Sequence, residues 1–123
     1  MKINLHKKKF RSRTNSSNGE VTADTYFYYF QEDNMIWAHY SGGNILKGFL
    51  IGTQQRDGSL HFSYQHLNRK KEVMTGTCVS TPRINAQGNI ILDEEWQWTN
   101  GPKSKGTSSL VEIIPEPQSE ENK

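Results

Sequence analysis

Turn-forming residues recur along this 123-residue chain at spacings that leave room for strands and little else. They fall at Asn18-Gly19, Glu32-Asp33-Asn34, Gly42-Gly43-Asn44, Asp57-Gly58, Asn68-Arg69-Lys70, Gln87-Gly88 and Asn100-Gly101. Gly, Asn and Asp tolerate the positive φ angles that tight hairpins demand. Between the turns lie runs rich in Thr, Tyr, Phe, Ile, Val and Trp, whose branched and aromatic side chains suit a pleated surface. These runs predict eight strands, roughly 8–14, 20–32, 35–41, 45–55, 59–67, 73–84, 89–99 and 105–114. No stretch keeps a helical period over ten residues.

Strands joined in sequence order by tight turns form an antiparallel meander. A meander of about eight strands closes most simply into an up-and-down β-barrel, because closure removes the unpaired edges. The expected fold is therefore all-β. Gly48, Gly52 and Gly76 lie inside strands, where a small barrel needs its bends. The apolar fraction is only 33%, but thirteen aromatics (three Trp, five Tyr, five Phe) help fill a core. Each can bury about 150–250 Å². The chain divides into a basic N-terminal arm (1–9), a barrel domain (10–114) and an acidic tail (115–123), expected to be disordered.

A net charge of +2 is too small to argue for nucleic acid, and the Lys-rich start reads as a solvated arm. The single cysteine, Cys78, rules out an intrachain disulfide. No apolar run suits a membrane helix or a signal peptide, so no membrane partner and a cytoplasmic location are expected. Oligomeric state is left open. Neither a short-spaced metal-ligand pattern nor a cofactor motif is present, and none is called for.

The alternation in Glu94-Glu95-Trp96-Gln97-Trp98 puts Ile90, Leu92, Glu94, Trp96 and Trp98 on one face of the seventh strand. The other face holds Ile91, Asp93, Glu95 and Gln97 and is expected outside. The same period turns Leu60, Phe62, Tyr64 and His66 inward on the fifth strand, and Gly76, Cys78 and Ser80 on the sixth. It also turns in Ile36, Ala38 and Tyr40 on the third, and Ser108 and Leu110 on the eighth. On the second strand Phe27, Tyr29 and Gln31 are placed inside, although Tyr26, Tyr28 and Phe30 make the opposite face aromatic too.

An inward set of this kind is unusual for a plain core. Polar groups converging among aromatic walls mark a small-molecule site. Tyr40, Tyr64, His66, Ser80, Glu94, Trp96, Trp98 and Ser108 are the candidate ligand-binding residues. Glu94 is the candidate acid or base, with a pKa raised by burial, and His66 its candidate proton-transfer partner. The plainer alternatives are a structural carboxylate, a structural histidine and tryptophans that only fill the core.

The runs Tyr40-Ser41-Gly42-Gly43-Asn44-Ile45, Gly48-Phe49-Leu50-Ile51-Gly52, Thr75-Gly76-Thr77-Cys78 and Glu94-Glu95-Trp96-Gln97-Trp98 resemble a family of short bacterial proteins. That family often carries the automatic label N-acetylglutamate synthase, and the resemblance runs from about Phe10 to Ile113. The Tyr-Ser-Gly-Gly pattern and the late Trp-rich strand followed by Ser and Thr are also similar to avidin and lipocalin-like (calycin) barrels. The resemblance implies a calycin-like fold. It permits lyase or isomerase chemistry of the kind some lipocalin-like barrels perform, with Glu94 as acid or base. The acetyltransferase label implies transfer from acetyl-CoA, which in the usual fold needs a Gly-rich loop between a strand and a helix. The nearest segment, Gln55-Arg56-Asp57-Gly58, lies between two strand-like runs instead. The leading reading is a barrel that binds a small polar or aromatic molecule. A barrel enzyme and a purely structural module are the alternatives.

Overall fold

The computed structural model describes residues 2–101 and 103–114. The stretch 115–123, expected as a disordered tail, lies outside them. Eight antiparallel strands form a closed barrel in sequence order. They are β1 (Lys8–Asn15), β2 (Tyr26–Glu32), β3 (Met35–Gly42), β4 (Ile45–Gln54), β5 (Leu60–Asn68), β6 (Val73–Ile84), β7 (Ile90–Trp98) and β8 (Lys105–Glu112). Each of the seven connections contains one of the turn signals read from the sequence. Gly42 and Gly43 have φ of 115° and 63°, which explains why glycine is needed between β3 and β4. β1 closes the barrel against β8 through Phe10↔Glu112, Arg11↔Val111 and Ser12↔Leu110, with an irregularity between Ser12 and Thr14.

The interior has an apolar half and a polar half. Phe10, Tyr29, Ile36, Leu60, Leu92 and Leu110 are all but fully buried, and Phe10 meets Tyr29 edge to face at 5.3 Å. The end of the barrel that carries the β2–β3, β4–β5 and β6–β7 turns is closed by the N-terminal residues. The Leu5 backbone N–H donates to Gln31 Oε1, Gln31 Nε2 to Gln54 Oε1, and Gln54 Nε2 to the Ile3 carbonyl. Leu5 is fully buried in the core. The stretch expected as a basic arm is thus partly core, with β1 opening at Lys8.

Two further expectations differ from the structure. β2 begins at Tyr26, so 16–25 form a long loop where the sequence suggested strand from residue 20. Ile91, expected outside, is 1% exposed. It occupies an outward position, but between its partners Arg83 and Val111 little of it reaches solvent. The doubtful face of β2 resolves as expected: Phe27 and Tyr29 are buried, while Tyr26 and Tyr28 lie outside beneath the Lys9 ammonium, 5.2 Å from each ring centroid. That cation–π contact gives the outer rings a role of their own.

Candidate functional site

The polar half opens at the other end of the barrel, and glycines make room for its rings. Gly48 lies across from Tyr40 on β3 and His66 on β5. Gly76 lies between Tyr64 and Trp98, and Gly106 faces Trp96. A Cβ at Gly48 would meet the Tyr40 ring at 2.5 Å, and one at Gly76 would collide with the Tyr64 phenol. Each ring lies over the bare backbone of its neighbouring strand. Trp96 and Trp98 tilt against each other at 5.5 Å, and Tyr64 meets Trp98 edge-on at 5.8 Å.

Glu94 sits under these rings. Ser80 on β6 and Ser108 on β8 flank it in register, and Ser108 pairs onward with Asn15 of β1. The Ser108 hydroxyl donates to Glu94 Oε1 at 3.1 Å. Ser80 comes close enough to ease the charge slightly, but without hydrogen-bond geometry. Its Oγ and Glu94 Oε2 are both buried and without a partner among the described residues. Burial pushes the Glu94 carboxyl up to about 7, and the Ser108 hydrogen bond pulls the other way. Its charge reaches the surrounding phenols and thiol. Tyr29, Tyr40, Tyr64 and Cys78 are all raised, first by burial and then in part by Glu94 or by one another. A thiol held this way is a small core side chain, not a nucleophile.

His66 anchors the rim. Its Nδ1 lies 3.0 Å from the Tyr40 hydroxyl and its Nε2 lies 2.8 Å from Glu20 Oε1. Burial lowers its pKa, and the Glu20 contact only partly offsets that. The pair is therefore a neutral imidazole against a carboxylate: Nε2–H donates to Glu20, and Tyr40 O–H donates to Nδ1. Asn68 Nδ2 donates to the second Glu20 oxygen at 3.0 Å.

Glu20 arrives on the β1–β2 loop, which crosses the barrel mouth. The Trp98 indole N–H donates to the Asn18 carbonyl, and Asn18 Nδ2 donates to the Lys105 carbonyl. Asn15, Gly19, Glu20 and Val21 thereby join the walls of a cavity of about 50 Å³. Seven of the eight expected ligand-binding residues line it: Tyr40, Tyr64, His66, Glu94, Trp96, Trp98 and Ser108. Ser80 does not; it is fully buried beside Glu94. His66 and Glu94 share the cavity, but the partner of His66 is Glu20. Glu20 was read as the first residue of a strand. The available signal was the run Asn18-Gly19 with Thr22, Asp24 and Thr25, loop formers that extend well past a two-residue turn.

A family model of avidin-like proteins matches residues 3–113, which include all eight strands. The chain belongs to the avidin-like family. The match agrees with the closed eight-stranded antiparallel barrel and with the calycin-like layout expected from the sequence. No curated protein and no solved structure matches the chain. Within this avidin-like barrel, the segment nearest to an acetyl-CoA loop is a hairpin turn. Gln55 N–H bonds the Ser59 carbonyl, Gly58 N–H bonds the Gln55 carbonyl, and strands flank both sides.

Proposed function

We propose that this avidin-like protein binds a small molecule in the cavity beneath the β1–β2 loop. The observation that supports this best is Glu94, a buried carboxyl with one unpartnered oxygen among aromatic walls. An unsatisfied buried polar group costs stability, and a bound ligand is one way to satisfy it. Trp96, Trp98 and Tyr64 supply apolar wall. Glu94, Ser108 and the Tyr40–His66–Glu20 set fix orientation. The cavity is small beside the roughly 300–1,000 Å³ of drug-sized sites, so the ligand is small or reaches out past the loop.

Native mass spectrometry against a library of small metabolites tests the reading. A bound mass is expected with the wild-type protein and is expected to be lost in Glu94→Gln and Trp98→Ala. Equal retention in both variants, with each still folded, would overturn the site.

One observation favours a second reading. A carboxyl with a pKa of about 7 suits general acid–base work at neutral pH. The barrel would then be a lyase- or isomerase-type enzyme with Glu94 moving the proton. Turnover that follows the Glu94 titration would establish it, and binding without turnover would leave the first reading.

A further inference from the structure

The cavity's charges are one-sided. Its walls include two carboxyl groups, Glu94 at depth and Glu20 at the rim, and no Lys or Arg among the described residues. The lining also holds six aromatic side chains besides His66: Phe27, Tyr40, Phe62, Tyr64, Trp96 and Trp98. Aromatic faces attract cations, and more strongly where water is excluded. Glu94 is 8% exposed, and its Oε2 has no donor. An anion placed here would meet carboxylates and ring faces. A neutral amide would leave the Glu94 charge uncompensated.

Resting on the reading of this cavity as a ligand site, we propose that the ligand is a small organic cation of the ammonium or amidinium type. Its N–H groups donate to the Glu94 carboxylate, and its charge rests against the Trp96, Trp98 and Tyr64 rings. The cavity volume of about 50 Å³ limits the charged group to a few heavy atoms. Any longer tail points toward the β1–β2 loop, where Glu20 adds a second carboxylate.

Cation binding requires the ionised carboxylate, so affinity follows the Glu94 titration. The groups facing Glu94 do not confuse that dependence on the alkaline side. Tyr29 from β2, Tyr40 from β3, Tyr64 from β5 and Cys78 from β6 are all raised and stay neutral. Asp93 on its own strand raises Glu94 slightly. His66 is neutral near pH 7, and its protonation in acid would repel a cation, which acts in the same direction as Glu94 protonation. With Glu94 at about 7, affinity should fall about a hundredfold from pH 8 to pH 5.

The test uses acetamidinium and its uncharged counterpart acetamide, titrated into the millimolar range. The readout is the indole N–H resonances of Trp96 and Trp98, with Trp37 on the outer wall as reference. Saturable shifts with acetamidinium are expected, at least tenfold tighter than with acetamide. They are expected to weaken at least tenfold in Glu94→Gln and to be unchanged in Glu95→Gln, whose side chain is exposed outside the barrel. Acetamide binding as tightly as acetamidinium, or acetamidinium affinity indifferent to pH and to Glu94→Gln, would overturn the cation inference and leave the cavity as a ligand site. No saturable shift with either probe would overturn both.

Discussion

At pH 8 the Glu94 carboxylate is charged inside a chamber of rings, and the protein is less stable for it. Its folded pKa is about 7 against an ordinary 4.5. Below 4.5 both folded and unfolded chains hold the proton, and Glu94 contributes nothing to pH dependence. Between 4.5 and 7 the folded chain keeps a proton that the unfolded chain has released, so stability falls as pH rises. Above 7 the loss is complete, on the order of 3 kcal/mol at about 1.4 kcal/mol per pKa unit. His66 acts in the opposite sense. Its folded pKa is lowered, so its contribution is lost as pH falls below 6.5. Subtracting the urea-unfolding curve of Glu94→Gln from that of the wild type isolates the carboxyl. The difference should change by on the order of 3 kcal/mol between pH 4.5 and 7. A flat difference would mean that Glu94 titrates normally. For His66, nitrogen-15 shifts at pH 7 should show a neutral ring protonated on Nε2. A doubly protonated ring would overturn the rim network. Most of these residues were legible because alternation on β5 and β7 is strict: once Trp96 faces inward, Glu94 and Trp98 must as well. Glu20 was not legible, because only tertiary packing brings a loop carboxylate beside an imidazole 46 residues away.

Among the strands, the repeated device is a glycine set opposite a ring. Gly48, Gly76 and Gly106 were readable as strand glycines at most, and the sequence offered bends for Gly48 and Gly76 but not this role. Their partners depend on register, which a single sequence does not reveal. Once Tyr64↔Gly76 and Gly76↔Trp98 are known, the missing side chain is seen to be the space the rings occupy. Adding a Cβ at Gly76 drives it into the Tyr64 phenol and to 2.7 Å from the Gln97 carbonyl. Gly76→Ala should therefore cost about 1–3 kcal/mol, the range for overpacking a filled interior. It should also shift the Trp98 fluorescence through the displaced Tyr64. An alanine tolerated with no change in either signal would show that the ring moves freely and the cavity wall is soft. The same dependence on neighbours explains Ile91. Period two placed it correctly on the outer face of β7, but how far an outer position is covered depends on the strands beside it.

For the molecule as a whole, the meander is the part the sequence carries almost completely. All seven turns were marked, and a meander with two free edges has a strong reason to close. What the sequence left open was how the two ends of the cylinder are finished. One end receives the β1–β2 loop and becomes the site. The other is closed by residues that read as a basic arm, because Ile3 and Leu5 are too few to set a period beside Lys2, Lys7, Lys8 and Lys9. Leu5 is nonetheless fully buried, and the Gln31–Gln54 pair holds the Leu5 N–H and the Ile3 carbonyl. This makes the N-terminal stretch two kinds of chain, interleaved. Leu5→Ala should lower stability by about 2–5 kcal/mol, the range for emptying a buried leucine site. Lys2→Ala, at an exposed position, should change it by less than about 0.5 kcal/mol. Equilibrium unfolding in urea separates these outcomes. If both variants unfold with the wild type, the segment is an appendage and the apolar half of the barrel is closed without it. If only Leu5→Ala is destabilised, the buried half that positions Glu94 depends on residues ahead of the first strand.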